Sequence, residues 1–277
     1  MRQALRIDGM AWIMLAALLC VAAVIVTAIS AEGGAAPAAA ALANALDWQP
    51  RLGLGQPWRL WTCAWVHWSA AHLLVNVLGA IVVALVGWRA RMPAAAAGAW
   101  FVAWPLTQLL MAALGAERVG AAMPHYGGLS GVLHGGAIVL GLSLAWPRVG
   151  ELVRPRIAPA RLDTGFVATR APVIEPSRIT EGPWAMTEVG ASAAMPLSTL
   201  DQPPPVHDAA PSLRERWIGV AIVAGTLLKV VSEAPWNLAP RPSEALGISV
   251  APVAHACGVA AGLLAWGCLR LLGRRQR

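Results

Sequence analysis

The sequence is poor in charge. Asp, Glu, Lys and Arg make up 13% of its 277 residues, while 57% are apolar. A soluble domain carries about 25% charged residues, so this composition excludes an ordinary water-soluble globule. The apolar content also excludes disorder as the overall state. Acid is scarcer than base: 14 Asp and Glu stand against 21 Lys and Arg, a net charge of +7. The basic residues lie between apolar runs rather than on one folded face, which argues against a nucleic-acid partner and for a lipid bilayer. There is one Tyr and there are two Phe against 14 Trp, so Trp is expected to serve as the interfacial aromatic. The four cysteines, Cys20, Cys63, Cys257 and Cys268, are far apart and form no CxxC or Cys/His zinc spacing. Neither a disulfide framework nor a structural metal is expected. No HExxH is present, which argues against an intramembrane zinc protease, and no cofactor is called for.

What is present is a series of apolar stretches near the length of about 20 residues that a spanning helix needs. They are residues 10–31, 69–88, 94–115, 126–146, 217–232 and 249–269. The first three carry no charge. The fourth and sixth hold only His134 and His255 as potential cations, and the shorter fifth holds Lys229. Arg2 and Arg6 precede the first stretch as they would a secretory signal, but its apolar run exceeds the usual h-region of about 7–15 residues, so a retained helix is expected.

Arginine distribution predicts orientation. Arg2, Arg6, Arg89, Arg91, eight arginines between the fourth and fifth stretches, and Arg270, Arg274, Arg275 and Arg277 fall on one side. Only Arg51, Arg59, Arg118 and Arg241 fall on the other. The positive-inside rule then places both termini in the cytoplasm. Residues 147–213 contain 11 of the 21 prolines, including Pro203, Pro204 and Pro205, and no helical apolar period. They read as a disordered cytoplasmic linker. The expected architecture is an all-α membrane protein of six helices: residues 1–146 hold helices 1–4, residues 147–213 form a Pro-rich loop, and residues 214–277 hold helices 5–6 and a basic tail.

Polar groups at membrane depth are costly and face a bundle interior. Three clusters qualify. At the start of the second stretch are His67, His72 and Asn76, the last two on one helix face. In the fourth, Gly128, Ser130, Gly131 and His134 fall within seven residues. In the sixth, Gly258 and Gly262 make a GxxxG packing face with His255 one turn before Gly258. Serine becomes a competent nucleophile when a base takes its proton, and a neutral imidazole is such a base. Attack on an amide then develops an oxyanion that needs donors. Ser130 and His255 are the expected catalytic pair, with His72, Asn76 and the backbone N–H of Ser130 as oxyanion donors. No Asp or Glu lies inside the second, fourth or sixth stretch, so a Ser-His dyad is expected rather than a triad. His125 and His207 read as solvated, and Cys257 as packing. Lys229 reads as snorkelling from the fifth stretch, and Glu233 as its structural partner.

Taken in order, these motifs resemble the rhomboid family of intramembrane serine proteases. His67-x4-His72-x3-Asn76 resembles the family's second-helix signature, Gly128-Leu-Ser130-Gly131 its GxSG, and Ala254-His255-x2-Gly258-x3-Gly262 its sixth helix. The resemblance implies Ser130 as nucleophile, His255 as general base, His72 and Asn76 as oxyanion positions, Gly128 and Gly131 as motif glycines and His67 as structural. The run from Gly128 through His134 to Gly135 resembles the GxSGxLHG form of the rhombosortase subfamily, in which His134 would orient His255. That likeness implies a bacterial inner-membrane endopeptidase. Its substrate would be a transmembrane protein with a C-terminal sorting tail: a Gly-Gly motif, a hydrophobic helix and a basic end. Two other readings are a generic rhomboid protease and an inactive rhomboid-like scaffold that binds membrane helices. A small transporter would predict repeat symmetry between the halves, and none is visible.

Overall fold

The computed structural model describes residues 9–32, 37–146 and 212–275. Apart from Ser212 and Leu213, the Pro-rich stretch lies outside the described residues, as does His207 within it. The segments that flank it belong to one compact unit. In chain order the helices are α1 (Met10–Glu32), α2 (Pro37–Leu46), α3 (Arg59–Thr62), α4 (Ala70–Arg89), α5 (Ala94–Ala113), α6 (Ala116–Ala122), α7 (Ser130–Ala145) and α8 (Leu213–Ser232). Two short antiparallel strands, β1 (Arg241–Ser243) and β2 (Ile248–Val250), precede the last helix, α9 (Pro252–Arg275).

Among the described residues, four helices are long and apolar enough to cross a membrane: Met10–Ser30, Ala70–Arg89, Ala94–Ala113 and Pro252–Leu272. The protein is a mostly helical membrane protein. The other two expected spans fall short for different reasons. Helix α7 has 16 residues, about 24 Å at the helical rise, less than a hydrocarbon core of about 30 Å. It starts at Ser130 because the preceding chain is committed elsewhere. Tyr126 and Trp48 exchange backbone hydrogen bonds of 2.8 and 2.9 Å, and the Gly128 N–H donates to the Cys63 carbonyl at 2.9 Å. Helix α8 is long enough but includes Arg214, Glu215, Arg216 and Lys229. Its start is fixed by a capping box: the Glu215 N–H donates to Ser212 Oγ, and the Ser212 N–H donates to the Glu215 carboxylate.

Tryptophan does more than sit at an interface. Trp12, Trp48, Trp100 and Trp104 are among the largest fully buried side chains. A buried indole needs an acceptor for its N–H. Trp12 donates to the Val83 carbonyl at 2.9 Å, Trp100 to Val132 at 2.9 Å and Trp104 to Trp61 at 3.0 Å. Trp12 and Trp100, from α1 and α5, approach to 4.7 Å between ring centroids. With one Tyr and two Phe in the chain, Trp is also the core aromatic, a role beyond the interfacial one expected. Trp58 and Trp68 are exposed, whereas Trp61 and Trp65 pack against the core.

Candidate active site

The site is assembled where α7 and α9 touch through glycine. A Cβ on Gly258 would fall on the Gly131 carbonyl oxygen, and one on Gly262 would lie 2.6 Å from the Gly135 carbonyl oxygen. Reciprocally, a Cβ on Gly131 would lie 3.0 Å from the Ala254 carbonyl, and one on Gly135 3.1 Å from the Gly258 carbonyl. Glycine is unfavourable in a helix by about 1 kcal/mol relative to Ala. Here the missing side chains let the two backbones meet. The seam fixes α9 against the first turn of α7 and carries His255, three residues before Gly258, onto that turn.

His255 is buried, 3% exposed. Its ring stacks on that of His134, 4.3 Å between centroids at an interplanar angle of 15°. Each ring has one nitrogen engaged by an acceptor. His134 Nδ1–H donates to the Ser130 carbonyl at 2.6 Å, and His255 Nδ1–H donates to Glu233 Oε2 at 2.6 Å. A carbonyl or carboxylate cannot donate, so both Nδ1 atoms carry the proton. A neutral His255 therefore presents its lone pair on Nε2. That nitrogen is buried and has no hydrogen-bond partner among the described residues.

Sequence reasoning missed Glu233 as a partner of His255. It caps the C-terminal end of α8 and lies beyond the apolar stretch rather than inside it. Its other oxygen accepts from Lys229, the i,i+4 pairing expected from the sequence. Burial pushes the Glu233 carboxyl up, but hydrogen bonds from His255 and Lys229, with their charges, outweigh it and hold it down at about 2. The signal available in the sequence was the Lys229–Glu233 spacing, which gives a pair but not a third partner on another helix.

Helix α4 supplies the opposite wall. Ser69 caps it, accepting from the His72 N–H at 3.0 Å, and Ser69 Oγ–H donates to the Leu246 carbonyl at 2.5 Å, which ties α4 to the turn between β1 and β2. The His72 ring lies against Gly128: a Cβ there would sit 2.6 Å from Cε1 and 2.9 Å from Nε2. Gly128 also has φ +121°, a conformation that L side chains rarely adopt. His72 Nδ1 is buried without a partner among the described residues. Asn76 differs from expectation. Its amide donates to the His72 carbonyl at 3.0 Å and contacts His67 Nε2 at 3.3 Å, while His67 Nδ1–H donates to the Trp65 carbonyl at 3.3 Å. Both Asn76 protons are engaged, so in this arrangement Asn76 braces His67 and the α4 backbone instead of pointing a free donor at an oxyanion. Burial, and then the neighbouring His72, hold His67 down at about 4, which suits its role as acceptor.

Ser130, His72, Asn76, His134 and His255 line one cavity of about 600 Å³. Its apolar wall is shared by α4, through Val75, Gly79 and Val83, and α8, through Gly225 and Thr226. A second cavity of about 490 Å³, lined by Asp47, Trp68, His125 and Tyr126, also reaches Ser130 and His72. Beside it Asp47, 1% exposed, accepts from Arg59 at 2.8 Å and pairs with His125 at 2.5 Å. Arg59, on an expected outer flank, is buried, satisfied by the Asp47 side chain and the Asn44 and Asp47 carbonyls.

Ser130 is the first residue of α7, where backbone N–H groups have no intrahelical acceptor and the helix dipole favours negative charge. A hydroxyl, an imidazole with a free buried Nε2 and a helix N-terminus thus border one space. Among the described residues no group of three or more His, Cys, Asp and Glu side chains converges as a metal-binding set. No family model, curated protein or solved structure matches the chain.

Proposed function

We propose that the protein is an intramembrane serine endopeptidase of the rhomboid type. Ser130 is the nucleophile and His255 the general base. One observation carries the reading: the buried, unpartnered Nε2 of His255 borders the same cavity as Ser130, and its Nδ1 proton is held on the far side of the ring. The base removes the Ser130 proton as Oγ attacks the scissile carbonyl carbon, then returns it to the leaving amine. The oxyanion falls to the Ser130 backbone N–H at the start of α7 and to a ring N–H of His72. His134 supports the base by stacking. Asn76 and His67 act behind His72 by holding it.

In this reading the six helices α1, α4, α5, α7, α8 and α9 form the membrane bundle. The Arg-rich flanks are cytoplasmic, the site faces the opposite surface, and the membrane is a bacterial inner membrane. The substrate is an exported protein with a C-terminal Gly-Gly motif, an apolar helix and a basic end. The cavity between α4 and α8 supports a substrate of this kind, because its wall is mostly apolar and it leads to Ser130. The test is cleavage of a reporter bearing such a tail, co-reconstituted with the protein in liposomes. Cleavage is expected with the wild type and not with Ser130→Ala. Equal cleavage by both proteins contradicts the assignment. Equal cleavage of tailed and Gly-Gly-scrambled reporters leaves a generic rhomboid protease.

A further inference from the structure

The Glu233–His255 contact carries the site past a dyad. We propose that Glu233 is the positioning carboxylate of the catalytic pair, so that the site works as a Ser130–His255–Glu233 relay; this rests on the endopeptidase reading above.

Geometry supports it in three ways. Glu233 Oε2 lies 2.6 Å from His255 Nδ1, on the opposite side of the ring from the free Nε2. The second carboxylate oxygen is taken by Lys229, so the group is restrained at both oxygens. Directly after it, Ala234 has φ +48°, a left-handed conformation that is unfavourable for a residue with a Cβ. That turn stops the helix directly after Glu233, which leaves the carboxylate at the end of α8 within reach of His255.

The chemistry follows from proton placement. In a neutral imidazole one nitrogen donates and the other accepts. Only the tautomer with hydrogen on Nδ1 can take a proton from Ser130 at Nε2. An acceptor-only partner at Nδ1 selects that tautomer. When Ser130 Oγ bonds to the carbonyl carbon, its proton passes to Nε2 and the ring becomes an imidazolium facing a carboxylate at Nδ1. The proton on Nε2 then goes to the leaving nitrogen as the C–N bond breaks. Water repeats the cycle on the acyl-enzyme: it loses a proton to Nε2, bonds to the acyl carbon, and Ser130 leaves with the proton. Glu233 stays ionised throughout. The groups facing His255 are His134 from α7, His72 from α4, and Lys229 and Glu233 from α8, with Arg241 of β1 on the cavity wall.

The experiment measures the rate at which a fluorophosphonate forms an adduct on Ser130 at pH 7, mapped by mass spectrometry, together with each protein's unfolding temperature. It uses the monodisperse fraction of the full chain in detergent. The proteins are wild type, His255→Ala, Glu233→Gln, Glu233→Asp and Lys229→Met. Glu233→Gln is expected to slow labelling at least about tenfold at pH 7, within the range a general base contributes. A purely structural loss would also lower the unfolding temperature, which is expected to stay that of the wild type in Glu233→Gln. Glu233→Asp recovers part of the rate, and Lys229→Met keeps most of it. A Glu233→Gln rate within twofold of wild type overturns the proposal while the pair stands. A wild type that forms no Ser130 adduct, or labels no faster than His255→Ala, removes the endopeptidase reading and the proposal together. If Glu233→Gln yields no monodisperse protein, Glu233→Ala decides by the same comparison, since it too removes the acceptor at His255 Nδ1.

Discussion

The two walls of the candidate site are built in opposite ways. Between α7 and α9 the backbones touch, and glycine stands at Gly131, Gly135, Gly258 and Gly262 because no side chain fits. Between α4 and α8 there is a cavity instead, and a Cβ on Gly225 would meet nothing within 4 Å among the described residues. Helix α8 itself changes character along its length. Near its start Gly219 is pressed against the Gly141 carbonyl of α7, while Gly225, under two turns later, borders open space. The rigid wall holds the groups that must keep a fixed geometry, Ser130 and His255. The open wall borders the cavity that the proposed function assigns to the substrate. Glu233, at the far end of α8, is the point where the open wall is tied back to the rigid one.

Substitutions should separate the two walls. The largest expected effect is Gly258→Ala. The added methyl meets the Gly131 carbonyl, and overpacking of this kind costs about 1–3 kcal/mol. Thermal unfolding in detergent should fall by several degrees, and Ser130 labelling should be lost because His255 moves with α9. Next is Gly128→Ala, which places a methyl 2.6 Å from the His72 ring at a residue with φ +121°. Its expected signature is a steep fall in cleavage with a smaller loss of stability, since the strain is local to the His72 side of the site. The smallest effect is expected for Gly225→Ala, which gains up to about 1 kcal/mol of helix propensity and meets no neighbour. A stability loss there as large as that of Gly258→Ala would show that the cavity wall is packed in solution, and would undo the contrast between the walls.

The helical, membrane-type fold was legible because apolar runs of about 20 residues with few charges leave little alternative. The clusters around Ser130, His134 and His255 were legible as polar interruptions of those runs, spaced at helical intervals. The remainder was hidden for physical reasons. Glu233 sits just past the end of a stretch, and nothing in a linear pattern says which helix its carboxylate will meet. The engagement of Asn76 depends on His67, which reaches it from outside α4. Arg59 and Asp47 are charged residues on an expected flank, yet they neutralise each other in the interior. The short strands β1 and β2 are three residues each, too short for a period-2 signal. The start of α7 is set by the Trp48–Tyr126 backbone pairing, a contact between residues 78 positions apart. Trp filled the core because so few other aromatic residues were present to do it.

The central claim is that His255 activates Ser130. It is tested most directly by treating the purified full chain with a fluorophosphonate at pH 7 and locating the adduct by peptide mass spectrometry. An adduct on Ser130 is expected in the wild type, and its loss in His255→Ala protein that unfolds at the same temperature. An equal yield of the Ser130 adduct in both proteins would contradict it.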